Sequence, residues 1–540
     1  MLKLVLGTSG SGKTTLLYAR IRARAEAGKR SILLVPEQFT SSTEARIYRE
    51  LGDALSGMVE SYSFTSLAEH ILAVEGGAAV QTLTDAGRAV LVRRALEELQ
   101  DNVHYYYRHR RSAAFCQMAA ETIDELKSAG LSGQQLQELA RDCGTESAKL
   151  GELALIFQGY ESLLAGTGMD PADRLELAAD RLEAALARDE LPDFLREREV
   201  FIDEFDTFNA PKKRLMGAML AALPAVTVAL CEDGAPMQPG DLELFSGAKQ
   251  VAAQLRQLAR KNGAQVAAPE LLRRDLRHKD APGLAALTEL LETGSCTPPE
   301  SAPELRLFAA ASREEEARCA AAAIRRLMRQ GVRCGKIAVV CRDISLYRAA
   351  VRYEFRMAEI PLYCDEPTTP EFSAPATAVR ALLALLRGAD MTEQLTVLAK
   401  TGLCALTEPE VCALENYAYT WSPNAAAWRA EFTKSPRGFG DAELTEEDTL
   451  NLTRAENARK KLVTAVDTLR SKVRSANAEQ ISRALYFCLK ELGAEGQQAA
   501  QVEDIRAARG IPAAEEAARE WNVVMQLLDE MARLLGSQGI

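Results

Sequence analysis

Near its start the chain reads Gly7-Thr8-Ser9-Gly10-Ser11-Gly12-Lys13-Thr14, a match to the phosphate-binding pattern Gly-x-x-x-x-Gly-Lys-Ser/Thr. The glycines let backbone N–H groups turn inward around a phosphate, Lys13 can reach the β- and γ-phosphates, and the Thr14 hydroxyl can hold Mg²⁺. The alternative is a glycine-rich turn that binds no nucleotide, which is less common for this pattern. We therefore predict an ATP site made of Gly7, Thr8, Ser9, Gly10, Ser11, Gly12, Lys13, Thr14 and Thr15, with Thr14 as an Mg²⁺ ligand.

The sequence around this motif predicts an α/β domain. Residues 2–6 and 31–35 are short apolar runs typical of buried strands, and the stretch between them has helical periodicity. Residues 59–72 have the pattern of a strand that passes into a helix. Residues 84–191 are almost wholly helical in pattern, after which residues 200–203 and 225–230 return to strands. This order predicts a parallel sheet interrupted by a helical insertion.

A change of composition near residue 300 predicts a domain boundary, because residues 233–304 are rich in Pro, Gly and charged residues. Beyond it, we expect strands at 305–309, 336–341 and 360–363, with helices at 313–330 and 344–357, followed by a mainly helical region over 374–540. The predicted domains are residues 1–300 and residues 301–540.

Two further segments favour nucleotide chemistry. The apolar run 200–202 ends in Asp203-Glu204, which predicts Asp203 as an Mg²⁺ ligand and Glu204 as the general base; the alternative is a surface carboxylate pair at a strand end. Arg342 follows another apolar run, and an arginine there can stabilise phosphate charge as a catalytic residue. A surface salt bridge is the alternative for Arg342.

Three segments offer contacts to single-stranded nucleic acid. Residues 36–40 and 61–67 combine hydroxyl groups with aromatic rings at the ends of predicted strands, and residues 105–111 interleave tyrosines with arginines. Ordinary strand-end loops with core aromatics, and a helix end with half-buried tyrosines and solvated arginines, are the alternatives.

Composition excludes several classes of protein. The 540 residues are 47% hydrophobic and 26% charged, an ordinary globular balance that excludes a disordered chain, and the net charge of −11 disfavours wrapping of duplex DNA by charge alone. Eleven cysteines without a Cys-x-x-Cys pair, and only four histidines, disfavour a zinc or iron–sulfur site. No apolar run is long enough to span a membrane, and no signal-peptide pattern opens the chain, so a cytoplasmic location is expected.

The order of these motifs resembles AddB, the B subunit of the bacterial AddAB helicase–nuclease. The Val-Pro-Glu-Gln element is the most specific part of the resemblance, which covers most of residues 1–375. The residues that carry it are Leu6–Thr14, Leu33–Gln38, Ser63–Ala68, Leu83–Arg88, Asp124–Lys127 and Ile202–Phe208.

The resemblance implies a superfamily 1 helicase-like fold with two RecA-like lobes and large helical insertions. It also implies an AddA partner and action at double-strand DNA ends, which the complex unwinds and resects for recombinational repair. AddB chains are about twice as long and end in a nuclease domain with an iron–sulfur cluster. Neither feature is found in this sequence, so we expect a partial chain.

The expected function is therefore an ATP-binding, helicase-like subunit of a helicase–nuclease. No Gly-Asp-x-x-Gln coupling motif follows the Asp-Glu strand, which leaves a non-hydrolysing nucleotide-binding scaffold that grips DNA and AddA as the alternative. A P-loop kinase or other small-molecule NTPase is disfavoured by the expected second lobe and by the lack of an evident lid.

Overall fold

The computed structural model describes residues 1–77, 82–165, 167–236, 244–364, 370–440 and 443–536. The chain divides into two compact units. The first unit comprises Met1–Gly7, Lys13–Leu272 and Pro370–Ile540, and the second comprises Thr8–Gly12 and Arg273–Thr369. The division into lobes at residue 300 stays a prediction.

A six-stranded sheet lies at the centre of the first unit. All its ladders are parallel, and the strand order is β3-β2-β4-β5-β1-β6. The strands are β1 (Leu2–Gly7), β2 (Ser31–Leu34), β3 (Val59–Tyr62), β4 (Glu199–Ile202), β5 (Ala225–Cys231) and β6 (Glu270–Leu272). The predictions of the first five strands are confirmed, and β6 was not predicted.

Helices cover both faces of this sheet, which explains why its strands are apolar almost throughout. On one face, Val5, Leu33 and Phe201 pack against the first helices; on the other, Leu4 and Ile202 belong to the larger core. The helices near the sheet are α1 (Lys13–Glu26), α2 (Thr40–Leu51), α3 (Asp53–Ser56) and α4 (Phe64–Glu75).

The predicted helical insertion is confirmed. Its helices enclose their own apolar core, and N-cap side chains such as Thr84 and Ser112 accept backbone N–H groups where two of them begin. The helices from the insertion to the end of the sheet are α5 (Asp85–Glu98), α6 (Ala113–Ser128), α7 (Gly133–Arg141), α8 (Ser147–Leu164), α9 (Pro171–Ala187), α10 (Ala210–Ala222) and α11 (Ser246–Lys261).

The second unit contains three helices among its described residues: α12 (Pro282–Thr293), α13 (Arg313–Arg329) and α14 (Ile344–Met357). α13 and α14 confirm the predicted helices and share a small apolar core.

The prediction of strands at 305–309, 336–341 and 360–363 is wrong. These segments pair with no neighbour among the described residues of the second unit, and a strand requires a partner for its N–H and C=O groups. A second parallel sheet, and with it a second RecA-like lobe, is therefore not confirmed.

The last helices of the chain belong to the first unit and enclose another large apolar core. They confirm the mainly helical prediction for residues 374–440 and 443–536; residues 441–442 and 537–540 lie outside the described residues. No helix among the described residues is both long and apolar enough to cross a membrane. These last helices are α15 (Ala374–Leu386), α16 (Met391–Lys400), α17 (Glu408–Trp421), α18 (Ala425–Arg429), α19 (Glu446–Val473), α20 (Ala478–Leu492), α21 (Ala494–Arg509) and α22 (Ile511–Leu535).

Candidate nucleotide-binding site

The carboxyl ends of β1, β2 and β4 lie at one edge of the parallel sheet, the edge where open α/β sheets bind ligands. Lys13 begins α1, and its Nζ donates to the carbonyl oxygen of Gly7 at the end of β1, at 2.7 Å. This bond holds the ammonium group against the strand end. A phosphate at this position offers the ammonium a charged acceptor in place of the carbonyl.

Asp203 follows β4 and is buried, with 5% of its surface exposed. Its carboxylate accepts the Thr14 hydroxyl, and its Oδ1 accepts the backbone N–H of Glu204 at 3.0 Å. Burial raises the pKa of Asp203, while the Thr14 hydrogen bond and the charges of Lys13 and Arg46 oppose the shift. The structure thus brings together the two predicted Mg²⁺ ligands, Thr14 and Asp203.

Glu204 is exposed and has a left-handed backbone conformation, with φ of 65°. Few non-glycine residues adopt this conformation, and such residues often lie at functional sites. Burial and the neighbouring charge of Asp203 raise the pKa of Glu204. A raised pKa makes a carboxylate a stronger base, which suits the role predicted for this residue.

A cleft of about 580 Å³ opens beside these carboxylates. Thr14, Gln38, Asp203 and Glu204 line it, together with Arg46 from α2. The Arg46 guanidinium lies 4.8 Å from the ring centroid of Tyr18, and burial raises the pKa of the Tyr18 hydroxyl to about 12. The sequence analysis missed both Tyr18 and Arg46.

The loop Thr8–Gly12 has the backbone of a phosphate cradle. Gly10 and Gly12 have φ of 80° and 92°, a region that glycine enters without steric cost. Ser11 is buried, and its hydroxyl has no hydrogen-bond partner among the described residues. An orphaned buried hydroxyl in a glycine-rich loop fits a site for an oxygen-rich ligand such as a nucleotide phosphate.

Within the second unit, residues 275–277 pack directly on this loop. The N–H of Leu276 donates to Gly10 O at 2.9 Å, and Arg277 Nη1 donates to Ser9 Oγ at 3.2 Å. A Cβ atom at Gly10 would lie 2.8 Å from an Asp275 oxygen, so a larger residue does not fit there. The sequence analysis did not predict this contact, which joins residues more than 260 positions apart.

Other predicted residues lie in less specific surroundings. Thr15 is exposed on the first turn of α1, and Arg342 is exposed in the second unit with no hydrogen bond or ion pair to another described residue. In the segment 61–67, Ser63 and Ser66 form a capping box for α4, and Phe64 is buried against Phe205. Those side chains have structural roles, whereas Phe39 in the segment 36–40 is partly exposed beside the cleft.

The described residues contain no group of three or more His, Cys, Asp or Glu side chains that could hold a metal by themselves. Zinc and iron–sulfur clusters take most or all of their ligands from the protein. Mg²⁺ takes one or two protein ligands and completes its shell with water and substrate phosphates. The Thr14–Asp203 pair fits the second case.

Comparisons with known proteins show similarity to one protein family. The family model described as "ADDB, N-terminal" matches residues 4–288. The chain is 30% identical to the B subunit of the ATP-dependent helicase/deoxyribonuclease of Moorella thermoacetica, 29% to that of Desulforudis audaxviator and 28% to that of Heliobacterium modesticaldum. These alignments cover 99–100% of this chain and 45–48% of the relatives.

The chain thus spans about half the length of the curated relatives it matches. The family model covers the P-loop and the Asp203–Glu204 strand end, which carry the candidate site residues, and the helical insertion that lies between them in the sequence. This chain belongs to the AddB N-terminal family.

Proposed function

We propose that this chain is the ATP-binding, helicase-like part of the B subunit of a cytoplasmic DNA helicase–nuclease. The complex would contain an AddA subunit and would unwind and resect double-strand DNA ends during recombinational repair. The observation that carries the proposal is the hydrogen bond between the P-loop hydroxyl of Thr14 and the buried carboxylate of Asp203. The names of the relatives supply the helicase, deoxyribonuclease and ATP dependence.

Each site residue has a separate role in this proposal. Lys13 and the N–H groups of residues 8–12 would bind the phosphates, and Thr14 and Asp203 would hold Mg²⁺. When bound, Mg²⁺ neutralises phosphate charge and orients the γ-phosphoryl group. Glu204 would take a proton from water, and Arg342 would act as a sensor or stabilise phosphate charge.

The sheet supports a RecA-like assignment for the first lobe. The P-loop follows β1 and the acidic pair follows β4, and the single strand β5 separates the two. The second RecA-like lobe stays part of the proposal as an expectation from the resemblance.

The alternative of a non-hydrolysing scaffold has an observation in its favour. β5 is followed by Glu232 and Asp233, and Asp233 is paired with the buried Lys249 at 3.0 Å. A glutamine that senses the γ-phosphate and couples hydrolysis to movement is therefore not found at this position. Binding without stimulated turnover would be the outcome that favours the scaffold.

The test is nucleotide binding and hydrolysis by the purified chain, with and without single-stranded DNA. Lys13→Ala is expected to weaken ATP binding at least about 100-fold, because a charged phosphate contact is lost. Lys29→Ala, which removes an exposed lysine just beyond α1, is the matched control. Equal ATP affinity in the Lys13 and Lys29 variants would contradict the P-loop assignment.

Arg342→Ala tests the remaining catalytic residue. A slower hydrolysis rate with unchanged ATP affinity would support the sensor role. Unchanged hydrolysis would leave Arg342 as a surface residue and the rest of the site intact.

A further inference from the structure

The turn that joins α5 to α6 in the helical insertion is held in one conformation by a buried acid. Glu152 on α8 accepts the backbone N–H groups of His104 at 2.8 Å, Tyr105 at 2.7 Å and Tyr106 at 3.1 Å. Only 9% of Glu152 is exposed. Three charge-assisted hydrogen bonds on successive residues fix the backbone before any partner arrives.

One aromatic ring of this turn packs inward and two are exposed. Tyr106 packs inward, with its ring centroid 5.1 Å from that of Phe115. Tyr105 and Tyr107 are 59% and 45% exposed. Most tyrosine rings are largely buried in a folded protein. Two exposed rings on a fixed turn therefore provide surfaces on which a flat ligand can stack.

The same turn carries positive charge that the protein does not neutralise. Arg108, Arg110 and Arg111 form no ion pair with a described residue. The Arg110 guanidinium instead lies 3.7 Å from the centroid of the Tyr107 ring and donates to the Tyr107 carbonyl oxygen. Several other arginines of the insertion are paired with acids, as Arg93 is with Glu97 at 3.1 Å.

Unpaired arginines beside exposed rings match the chemistry of a single-stranded nucleic acid. Phosphates neutralise the arginines, and unstacked bases cover the rings, whereas duplex DNA keeps its base faces hidden. The net charge of −11 for the whole chain makes this local concentration of positive charge more distinctive.

We propose that residues 104–111, here called the basic turn, bind single-stranded DNA. Arg108, Arg110 and Arg111 contact phosphates, and Tyr105 and Tyr107 stack on bases. The contact lies on the helical insertion. The choice of DNA over RNA rests on the proposed function, whereas the single-strand chemistry rests on the turn itself.

The test is fluorescence anisotropy of a labelled oligothymidylate with the full chain, over a series of salt concentrations. The triple variant Arg108→Ala/Arg110→Ala/Arg111→Ala is expected to lower the slope of log affinity against log salt by about 2, since each phosphate contact contributes about 0.7 on single strands. The matched control is Arg93→Ala/Arg483→Ala/Arg506→Ala, which removes the same charge from exposed arginines that are paired with glutamates.

The double variant Tyr105→Ala/Tyr107→Ala is expected to weaken binding about tenfold or more with little change of the salt slope, because stacking carries no charge. Tyr105→Phe/Tyr107→Phe keeps the rings and is expected to restore binding. Circular dichroism confirms that each variant is folded.

A salt slope and affinity in the triple arginine variant equal to those of its control would overturn the proposal. Equal binding of duplex DNA would overturn the single-strand assignment, and a preference for RNA would overturn the assignment to DNA. Lys13→Ala is expected to leave binding at the basic turn unchanged, so a failed nucleotide site and a failed DNA contact give different results.

Discussion

Two apolar segments of this chain are each followed by a charged residue, yet they have different structures. Residues 199–202 form β4, which lies between β2 and β5 with every residue buried. Residues 337–341 of the second unit form no helix or strand, pair with no described neighbour, and leave Val340 91% exposed. An apolar run becomes a buried strand only where two neighbours provide hydrogen bonds and cover both its faces.

The difference extends to the polar residue that follows each segment. Asp203 is buried, accepts two hydrogen bonds and shares a cleft with Glu204. Arg342 is exposed and forms no bond to a described residue. A buried strand end thus fixes the functional group that follows it, whereas an unpaired segment leaves its last residue in solvent.

The largest expected effect is on the free energy of unfolding when a phenylalanine is replaced by alanine in each of the two regions. Phe201→Ala in β4 is expected to lower the free energy of unfolding by about 3–5 kcal/mol, because Phe201 is fully buried and its removal leaves a cavity. Phe308→Ala, in the unpaired segment 305–309, removes a ring that is 64% exposed and is expected to change stability by less than about 0.5 kcal/mol. Urea denaturation measures both.

Similar losses for the two phenylalanine variants would mean that residues 305–309 are packed in solution. That result would remove the distinction between the two regions.

The same comparison explains which features the sequence could predict. Strands β1, β2, β4 and β5 are largely apolar runs bounded by polar or turn residues. They formed, as did β3, because their neighbours lie within the same unit. β6 was missed because its three residues form too short a run, and Glu270 within it is charged. The strands at 305–309, 336–341 and 360–363 have the right local pattern but no partner, which periodicity does not reveal.

The candidate site was predictable where its residues are adjacent in the sequence. Lys13 and Thr14 are adjacent in one motif, and Asp203 and Glu204 in another. Arg46 was missed because only the folded chain brings it beside Asp203 and Glu204. The segment 275–277 was missed because its contacts to Ser9 and Gly10 join residues far apart in the sequence. The buried role of Phe64 depends likewise on a contact with Phe205 that no local pattern shows.

The second prediction tests what the β4 end does chemically. Glu204→Gln is expected to slow ATP hydrolysis about 100-fold while leaving ATP affinity nearly unchanged, because the amide cannot accept a proton. Asp206→Asn is the matched control, since Asp206 lines the same cleft and has no assigned role. Phosphate release and nucleotide binding are measured for both. An unchanged hydrolysis rate in the Glu204 variant would exclude it as the general base.

The third prediction uses the opposite pKa shifts of the two regions. Burial raises the pKa of Asp203 in the folded protein. The folded state therefore holds this proton more tightly, so its contribution to stability is full below the ordinary pKa and is lost as the pH rises through the raised value. Asp203→Asn removes the buried charge, so it is expected to raise the free energy of unfolding at pH 7. This increase is expected to be smaller than the decrease caused by Phe201→Ala.

Asp343, which follows Arg342, gives the contrasting case. Hydrogen bonds from the Ser345 hydroxyl and backbone lower its pKa, so its contribution is present at neutral pH and is lost as the pH falls through the lowered value. Asp343→Asn is therefore expected to change stability in the opposite direction and to a smaller extent. Urea denaturation at pH 7, where the two carboxylates are expected to affect stability in opposite directions, distinguishes the two variants; equal signs would contradict the assigned surroundings.

The smallest expected effect is on the stability of the unpaired segment itself. Val340→Lys places a charge where the side chain is already in solvent, so the free energy of unfolding is expected to change by less than about 0.5 kcal/mol. Exposed apolar residues in an unpaired segment favour pairing with another chain, and a lysine opposes such pairing. Sedimentation velocity is therefore expected to show less self-association in the variant than in the wild-type chain. A loss of several kcal/mol would show instead that Val340 is covered in solution, as the residues of β4 are.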